Sequence, residues 1–188
     1  MAKSTATFFD ELMAATRGCI ALLVGNRQAP SYFDFSQRGL IGSLIATVIA
    51  VGLAGFGPLL AGVPLPPGSA TQSIIVNGVL FVAQAATAYL ALRQMGRHDG
   101  FIPYLVASNW VTLASAVLLT LSTFLGPLGI LILVLVVILA LATFVNIGRF
   151  IVTLTPLQIG ILFVSQAVGV FFALAIVAVL IGPPVPAV

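Results

Sequence analysis

Long apolar stretches alternate with short polar connections along most of this chain. Five stretches consist almost entirely of apolar residues, and each has 20 to 25 residues: 39–60, 72–92, 101–125, 128–147 and 157–181. An α-helix rises about 1.5 Å per residue, so about 20 residues are enough to cross a hydrocarbon core of about 30 Å. The pattern therefore predicts an all-α, polytopic membrane protein with five transmembrane helices.

The first 38 residues follow a different pattern and form a separate part of the chain. Apolar residues recur there at steps of four and three: Phe8, Leu12, Ala15, Cys19 and Leu22. This period predicts an amphipathic helix over residues 5–24, with Thr7 as its N-cap and Asp10 three residues later. Because charged residues interrupt this helix, we expect it not to span; it lies either in the headgroup region or on the protein's own cytoplasmic face. Residues 26–38 are a linker to the membrane domain, residues 39–188.

All eleven charged side chains lie in three polar segments that the predicted spans separate. They are Lys3, Asp10, Glu11, Arg17, Arg27, Asp34 and Arg38 before the first span, Arg93, Arg97 and Asp99 between the second and third, and Arg149 between the fourth and fifth. The basic residues of a polytopic protein concentrate in its cytoplasmic connections. We therefore expect a multi-pass protein of a bacterial inner membrane, with a cytoplasmic N-terminus and a periplasmic C-terminus.

Composition excludes several classes of function. The chain is 61% hydrophobic and only 6% charged, with seven basic and four acidic residues. This small positive excess favours anionic lipid headgroups over nucleic acid as the partner of the charged side. One cysteine and one histidine cannot form an intrachain disulfide or a metal site of known spacing, so we expect no metal and no cofactor. His98–Asp99 is the one acid–base pair, and no nucleophile motif accompanies it, so we expect no enzyme.

The basic connections supply candidate contacts on the cytoplasmic side. Side chains there can bind lipid phosphates, and the alternative is a membrane protein partner or a second copy of the chain. The candidates are Arg38, Arg93, Arg97, His98 and Arg149.

Four neutral amide side chains lie within the predicted spans, at Asn77, Gln84, Asn109 and Gln166. Asn77 and Gln84 are seven residues apart, which places them on one face of the second span. Two interpretations stay open. The amides join helices by hydrogen bonds, or they line a polar path or pocket for a solute or a lipid headgroup.

The connection RQMGRHDGFIPY and the later stretch NIGRFIVTLTPLQIGI resemble the bacterial branch of the Yip1-type membrane proteins. The residues that carry the resemblance are Gly96, Gly100, Phe101, Pro103, Tyr104, Arg149 and Thr155 to Gln158. The resemblance implies a cytoplasmic N-terminal segment followed by five spans, and no established reaction. The Asp-Leu-Tyr-Gly-Pro stretch of eukaryotic members is absent from this sequence, so their role in vesicle traffic is not implied.

Two functional hypotheses follow. The first is a non-catalytic membrane protein that binds partners or organises membrane, as an accessory subunit of a larger complex. It depends on the N-terminal helix and on a stripe of small residues in the first span that lets another helix approach. This stripe is Gly42, Ala46, Ala50 and Ala54. The alternative is a transporter or channel component for a small neutral solute or lipid, which requires the neutral amides to converge on one cavity.

Overall fold

The computed structural model describes residues 7–181, with side chains for residues 7–179, and this part of the chain is helical without a strand. Its six α-helices are α1 (Phe8–Leu23), α2 (Gln37–Leu60), α3 (Ser69–Gln94), α4 (Phe101–Ser122), α5 (Gly129–Asn146) and α6 (Pro156–Ile181). Lys3 and the apolar tail from Gly182 lie outside the described residues.

Four helical stretches are long and apolar enough to cross a membrane: Gln37–Leu60, Ser69–Gln94, His98–Ile151 and Pro156–Val179. The third stretch has 54 residues and contains both α4 and α5. Gly126 interrupts it with φ 55° and ψ −129°, a conformation that is not helical. The chain turns there, and α4 and α5 pack against each other, as the Gly126–Pro127 pair predicts. By length and composition the chain is a helical multi-pass membrane protein.

Local signals in the sequence predict the starts of two helices, α1 and α6. The hydroxyl of Thr7 accepts a hydrogen bond from the Asp10 N–H, and the Asp10 carboxylate accepts one from the Thr7 N–H, which forms the predicted capping box. The same reciprocal pair joins Thr155 and Gln158 at the start of α6. Each box satisfies two backbone N–H donors that the start of the helix would otherwise leave without partners.

Helix α1 packs on the protein itself. Its buried residues are Ala15, Gly18, Cys19, Ala21 and Leu22, and it contacts α4 and α5. The ring centroid of Phe8 lies 5.9 Å from that of Trp110 in α4, and the side-chain amide of Asn146 donates to the Leu22 carbonyl over 2.7 Å. The opposite face leaves Phe9, Met13 and Ile20 exposed, so α1 has protein on one side and apolar side chains on the other.

The bundle is held together mainly by two helix pairs, α2 with α4 and α3 with α6, and α2 also packs against α3. Gly42, Ala46 and Ala50 of the small-residue stripe are buried. The stripe therefore faces helices of this chain, and Ala54 at its end is exposed. The close approach that the stripe predicts occurs within the protein.

Candidate functional site

A cavity of about 520 Å³ lies between α2, α3 and α4. Sites for small ligands usually have volumes of about 300 to 1,000 Å³. Eight of its lining residues are neutral and polar, and none of its lining residues is charged: the eight are Thr47, Ser73, Asn77, Gln84, Thr112, Ser115, Thr120 and Thr123. We call this volume the polar cavity.

Helical spacing brings these side chains to one place. Ser73, Asn77 and Gln84 follow each other at steps of four and seven along α3, so they lie on one face of that helix. Thr112 and Thr120 are eight residues apart on α4 and face the cavity from the opposite wall. The remaining walls are apolar side chains of α2, α3 and α4, which fix the positions of the polar ones by packing.

Five of the six hydroxyl groups of the cavity donate their protons to backbone carbonyls. Thr112 donates to Ser108 over 2.9 Å, Thr120 donates to Ala116 over 2.8 Å, and Thr123 donates to Thr120 over 2.6 Å. Thr47 and Ser73 make the same kind of bond, over 3.2 Å to Ser43 and 3.3 Å to Ala54. A hydroxyl has one proton and two lone pairs. The Ser73 oxygen also accepts a bond from the Asn77 amide over 3.4 Å, and the other four hydroxyl oxygens keep both lone pairs as acceptors.

A direct hydrogen bond between α2 and α4 lies beside the polar cavity, on the side of the charged connections. One turn below Thr47, the side-chain amide of Asn109 donates to the Ser43 hydroxyl over 3.0 Å. Both side chains are buried, with 3% and 0% of their surface exposed. This bond joins α2 to α4. The cavity therefore lies in the half of the bundle nearer the α2–α3 connection.

The four amides predicted from sequence have two different environments. Asn77 and Gln84 line the polar cavity, and the Asn77 amide donates to the Ser73 carbonyl over 2.8 Å. Asn109 is in the α2–α4 contact, and Gln166 of α6 donates to the backbone carbonyl of Gln84 over 2.8 Å. The cavity thus brings Asn77 and Gln84 together, and Asn109 and Gln166 join helices, so the convergence of all four amides that the transporter hypothesis required does not occur. The six hydroxyl residues of the cavity were not among the predicted candidates, although their recurrence along α4 was a usable signal.

Arg97 joins two connections at the charged end of the bundle. Its guanidinium donates to the Thr153 carbonyl over 2.9 Å, to the Thr153 hydroxyl over 2.8 Å and to the Val152 carbonyl. Asp99 lies 3.6 Å from its Nε. Thr153 has a positive φ of 56°, which is unfavourable for a β-branched residue. Arg97 therefore forms hydrogen bonds with the α5–α6 connection of its own chain, whereas the sequence indicated that it contacts lipid or a partner.

The other basic candidates are exposed at the same end. Arg38, Arg93, His98 and Arg149 all have exposed side chains, and the Arg149 guanidinium lies 5.3 Å from the centroid of the Phe150 ring. Their positions leave them accessible to headgroups or to a partner.

Glu11 is a half-buried carboxyl group beside the start of α2. Within residues 7–179 its Oε1 atom is buried and has no hydrogen-bond partner, and a Cβ at Gly42 would collide with the carboxylate. Burial raises the pKa of Glu11, the nearby Asp34 raises it further, and Arg38 lowers it. The protonated form of Glu11 is therefore favoured relative to an exposed glutamate.

Cys19 lies in the contact between α1 and the bundle, where 8% of it is exposed. Burial raises the pKa of its thiol to about 12, so it is a packed apolar group with little thiolate. Within residues 7–179 no three His, Cys, Asp or Glu side chains come together as ligands for a metal.

No protein-family model matches the chain, and no significant match was found among curated proteins or among solved structures.

Proposed function

We propose that this protein is a non-catalytic transporter or channel component whose polar cavity binds a small neutral molecule or the uncharged head of a lipid. The observation that carries the proposal is the set of eight neutral polar side chains around one volume of about 520 Å³. An ionised ligand would find no opposite charge among them, and an isolated charge is costly at this depth in a membrane.

The arrangement differs from the usual structural use of polar residues in membrane helices. Where polar side chains only join helices, they pair directly, as Asn109 and Ser43 do. Asn77 and Gln84 instead line an open volume together with hydroxyl groups from two other helices. A polar surface that faces a cavity is stabilised when water or a ligand supplies hydrogen bonds.

We also propose five crossings with a cytoplasmic N-terminus in a bacterial inner membrane. The turn at Gly126 supports two crossings in the 54-residue stretch, because one straight helix of that length would be about 80 Å long. The bonds from Arg97 to Val152 and Thr153 support placing the α3–α4 and α5–α6 connections on one side. Under this topology the exposed arginines face anionic headgroups.

The partner-binding hypothesis stays a prediction, as does the Yip1-type resemblance. Two of its supports are partly used inside the chain, since three of the four stripe residues of α2 and one face of the amphipathic helix α1 are buried against neighbouring helices. The transporter hypothesis keeps two of its four amides, and the proposal therefore rests on these two together with the six hydroxyl residues that line the polar cavity.

Transport by purified protein in vesicles tests the proposal. One arm measures glycerol entry by light scattering after an osmotic jump, and the other measures transbilayer movement of a lipid with a fluorescent tail. We expect at least one rate to exceed that of protein-free vesicles and to return to it in Asn77→Leu and Gln84→Leu. Gln72→Leu is the matched control, because Gln72 is exposed on α3 outside the cavity. The proposal is contradicted if glycerol entry and lipid movement both proceed at the rate of protein-free vesicles. It is also contradicted if Asn77→Leu and Gln84→Leu are as active as Gln72→Leu.

Topology has its own test. Single cysteines introduced at residues 65 and 98 in a Cys19→Ala background are labelled with a membrane-impermeant thiol reagent in intact cells; His98 is exposed in the α3–α4 connection. We expect labelling at residue 65 and protection at residue 98, and equal labelling at both would overturn the five-crossing arrangement.

A further inference from the structure

We infer that the ligand of the polar cavity is a lipid whose uncharged, hydroxyl-bearing glycerol head enters the cavity while one acyl chain lies in an adjoining apolar groove. This inference rests on the proposed function and narrows it from neutral solutes in general to glycerolipids without a charged headgroup.

The groove lies between α2 and α3 and encloses about 420 Å³. Its own lining is apolar, with Leu44, Val48 and Gly52 on α2 and Ile74 and Gly78 on α3. It shares three further residues with the polar cavity: Thr47, Val51 and Phe81. The polar and apolar volumes therefore adjoin along one pair of helices, which is the shape that a molecule with a polar head and an apolar tail requires.

Two glycines leave room for an acyl chain in the groove. A Cβ atom built on Gly52 or on Gly78 would meet no other atom within 4 Å. Other glycines of this bundle are filled by neighbours, as at Gly55, where a Cβ would lie 2.9 Å from the side chain of Ile74. The missing side chains at Gly52 and Gly78 thus leave a slot on the lipid-facing surface.

The polar cavity favours a head that donates hydrogen bonds. Five of its hydroxyl groups give their own protons to backbone carbonyls and present acceptor oxygens. A glycerol head with free hydroxyl groups supplies the matching donors. A phosphate or carboxylate head supplies mainly acceptors and a charge, and no lining residue carries a positive charge.

The groove runs beside the polar cavity. Along α2 it extends beyond the cavity as far as Leu44, and along α3 it covers Ile74 to Phe81, within the cavity's own range from Ser73 to Gln84. A head in the cavity and an acyl chain in the groove therefore lie side by side along the same two helices.

Photo-crosslinking tests this inference on the full chain in vesicles. The probe is monooleoylglycerol with a diazirine in its acyl chain, and adducts are mapped by mass spectrometry. We expect adducts on the groove residues of α2 and α3, and we expect Gly52→Leu or Gly78→Leu to reduce them about tenfold, as steric filling of a fitted volume does. Gly160→Leu is the matched control, since Gly160 is also helical and open to space but lies away from the groove.

Competition identifies the head. Unlabelled monooleoylglycerol should displace the probe, and the same concentration of lysophosphatidic acid, which carries the same chain on a charged head, should not. Equal displacement by both lipids, or adducts unchanged in both groove variants, would mean that the groove holds lipid without selection and would overturn the inference. Glycerol transport that depends on Asn77, without groove adducts, would also overturn it and would leave the proposed function intact.

Discussion

Replacing Arg97 by alanine should destabilise the protein more than the loss of any other charged side chain at this end of the bundle. Arg97 connects the α3–α4 connection to residues 152 and 153, more than 50 positions later in the chain. Its planar guanidinium donates to two carbonyls and one hydroxyl at once. Without it the carbonyls must find water, and the left-handed conformation of Thr153 loses the group that holds it in place.

The size of the effect follows from the number and exposure of these bonds. A hydrogen bond from a charged donor contributes about 1.5 kcal/mol at the lower end of its range, so three would give about 4.5 kcal/mol. The Arg97 side chain is 29% exposed, so water replaces part of what is lost, and relief of the strain at Thr153 recovers about 1 kcal/mol. The pair with Asp99 adds little because that carboxylate is 68% exposed. We expect a loss of about 2 to 3 kcal/mol, which is about a 30- to 150-fold change in the unfolding equilibrium.

Equilibrium unfolding of the purified protein in mixed micelles with increasing SDS, followed by circular dichroism, measures this loss. Arg93→Ala is the matched control, because Arg93 lies in the last turn of α3 at the same end of the bundle, carries the same charge and is exposed. Arg97→Lys should recover only part of the loss, since an ammonium group cannot reproduce the forked geometry. If Arg97→Ala unfolds at the same SDS fraction as Arg93→Ala, Arg97 does not hold the two connections together and the reasoning is refuted.

Three further perturbations test the contacts of α1 and α2. The pKa of Glu11 is raised in the folded protein, so the folded form holds the proton more tightly than the unfolded chain does. The free energy of unfolding should therefore fall as the pH rises above 4.5, the usual pKa of a glutamate. Glu11→Gln should remove this fall in SDS titrations at several pH values. Asn109→Leu should cost about 0.6 to 1.7 kcal/mol in the same assay, the range for hydrogen bonds between membrane helices, because it breaks the bond to Ser43. Gly18→Ala should speed thiol labelling of Cys19. The added methyl would lie 2.6 Å from the Phe33 ring, and this overpacking, which costs about 1 to 3 kcal/mol, should loosen the contact that buries the thiol.

Each of these has an outcome that contradicts it. A Glu11→Gln variant with the same pH profile as the unmodified protein would show that another group titrates. Unchanged stability in Asn109→Leu would mean that the Ser43 bond contributes nothing measurable. For Gly18→Ala the control is Gly160→Ala, whose new methyl meets open space; equal labelling rates in the two would rule out the contact with Phe33.

Local features of the fold could be predicted because their causes are local. The caps at Thr7 and Thr155 involve residues three apart, and the turn at Gly126 needs only a residue that tolerates a positive φ. The burial of Cys19 follows from the period of α1.

The candidate site was predicted only in part. The spacing of Asn77 and Gln84 put them on one face, but nothing in it indicated that Thr112 and Thr120 lie opposite.

The sequence by itself determined that the protein is helical and multi-pass, because runs of apolar residues of this length have no other stable environment than a membrane. Only the tertiary structure decided which polar groups meet: Asn109 with Ser43, Arg97 with Thr153, and eight neutral side chains around one cavity. The physical reason is that lipid and protein interior are equally apolar. Helix faces that contact lipid and helix faces that contact protein therefore have similar compositions. The rotation and pairing of the helices are set by packing and by contacts between distant residues.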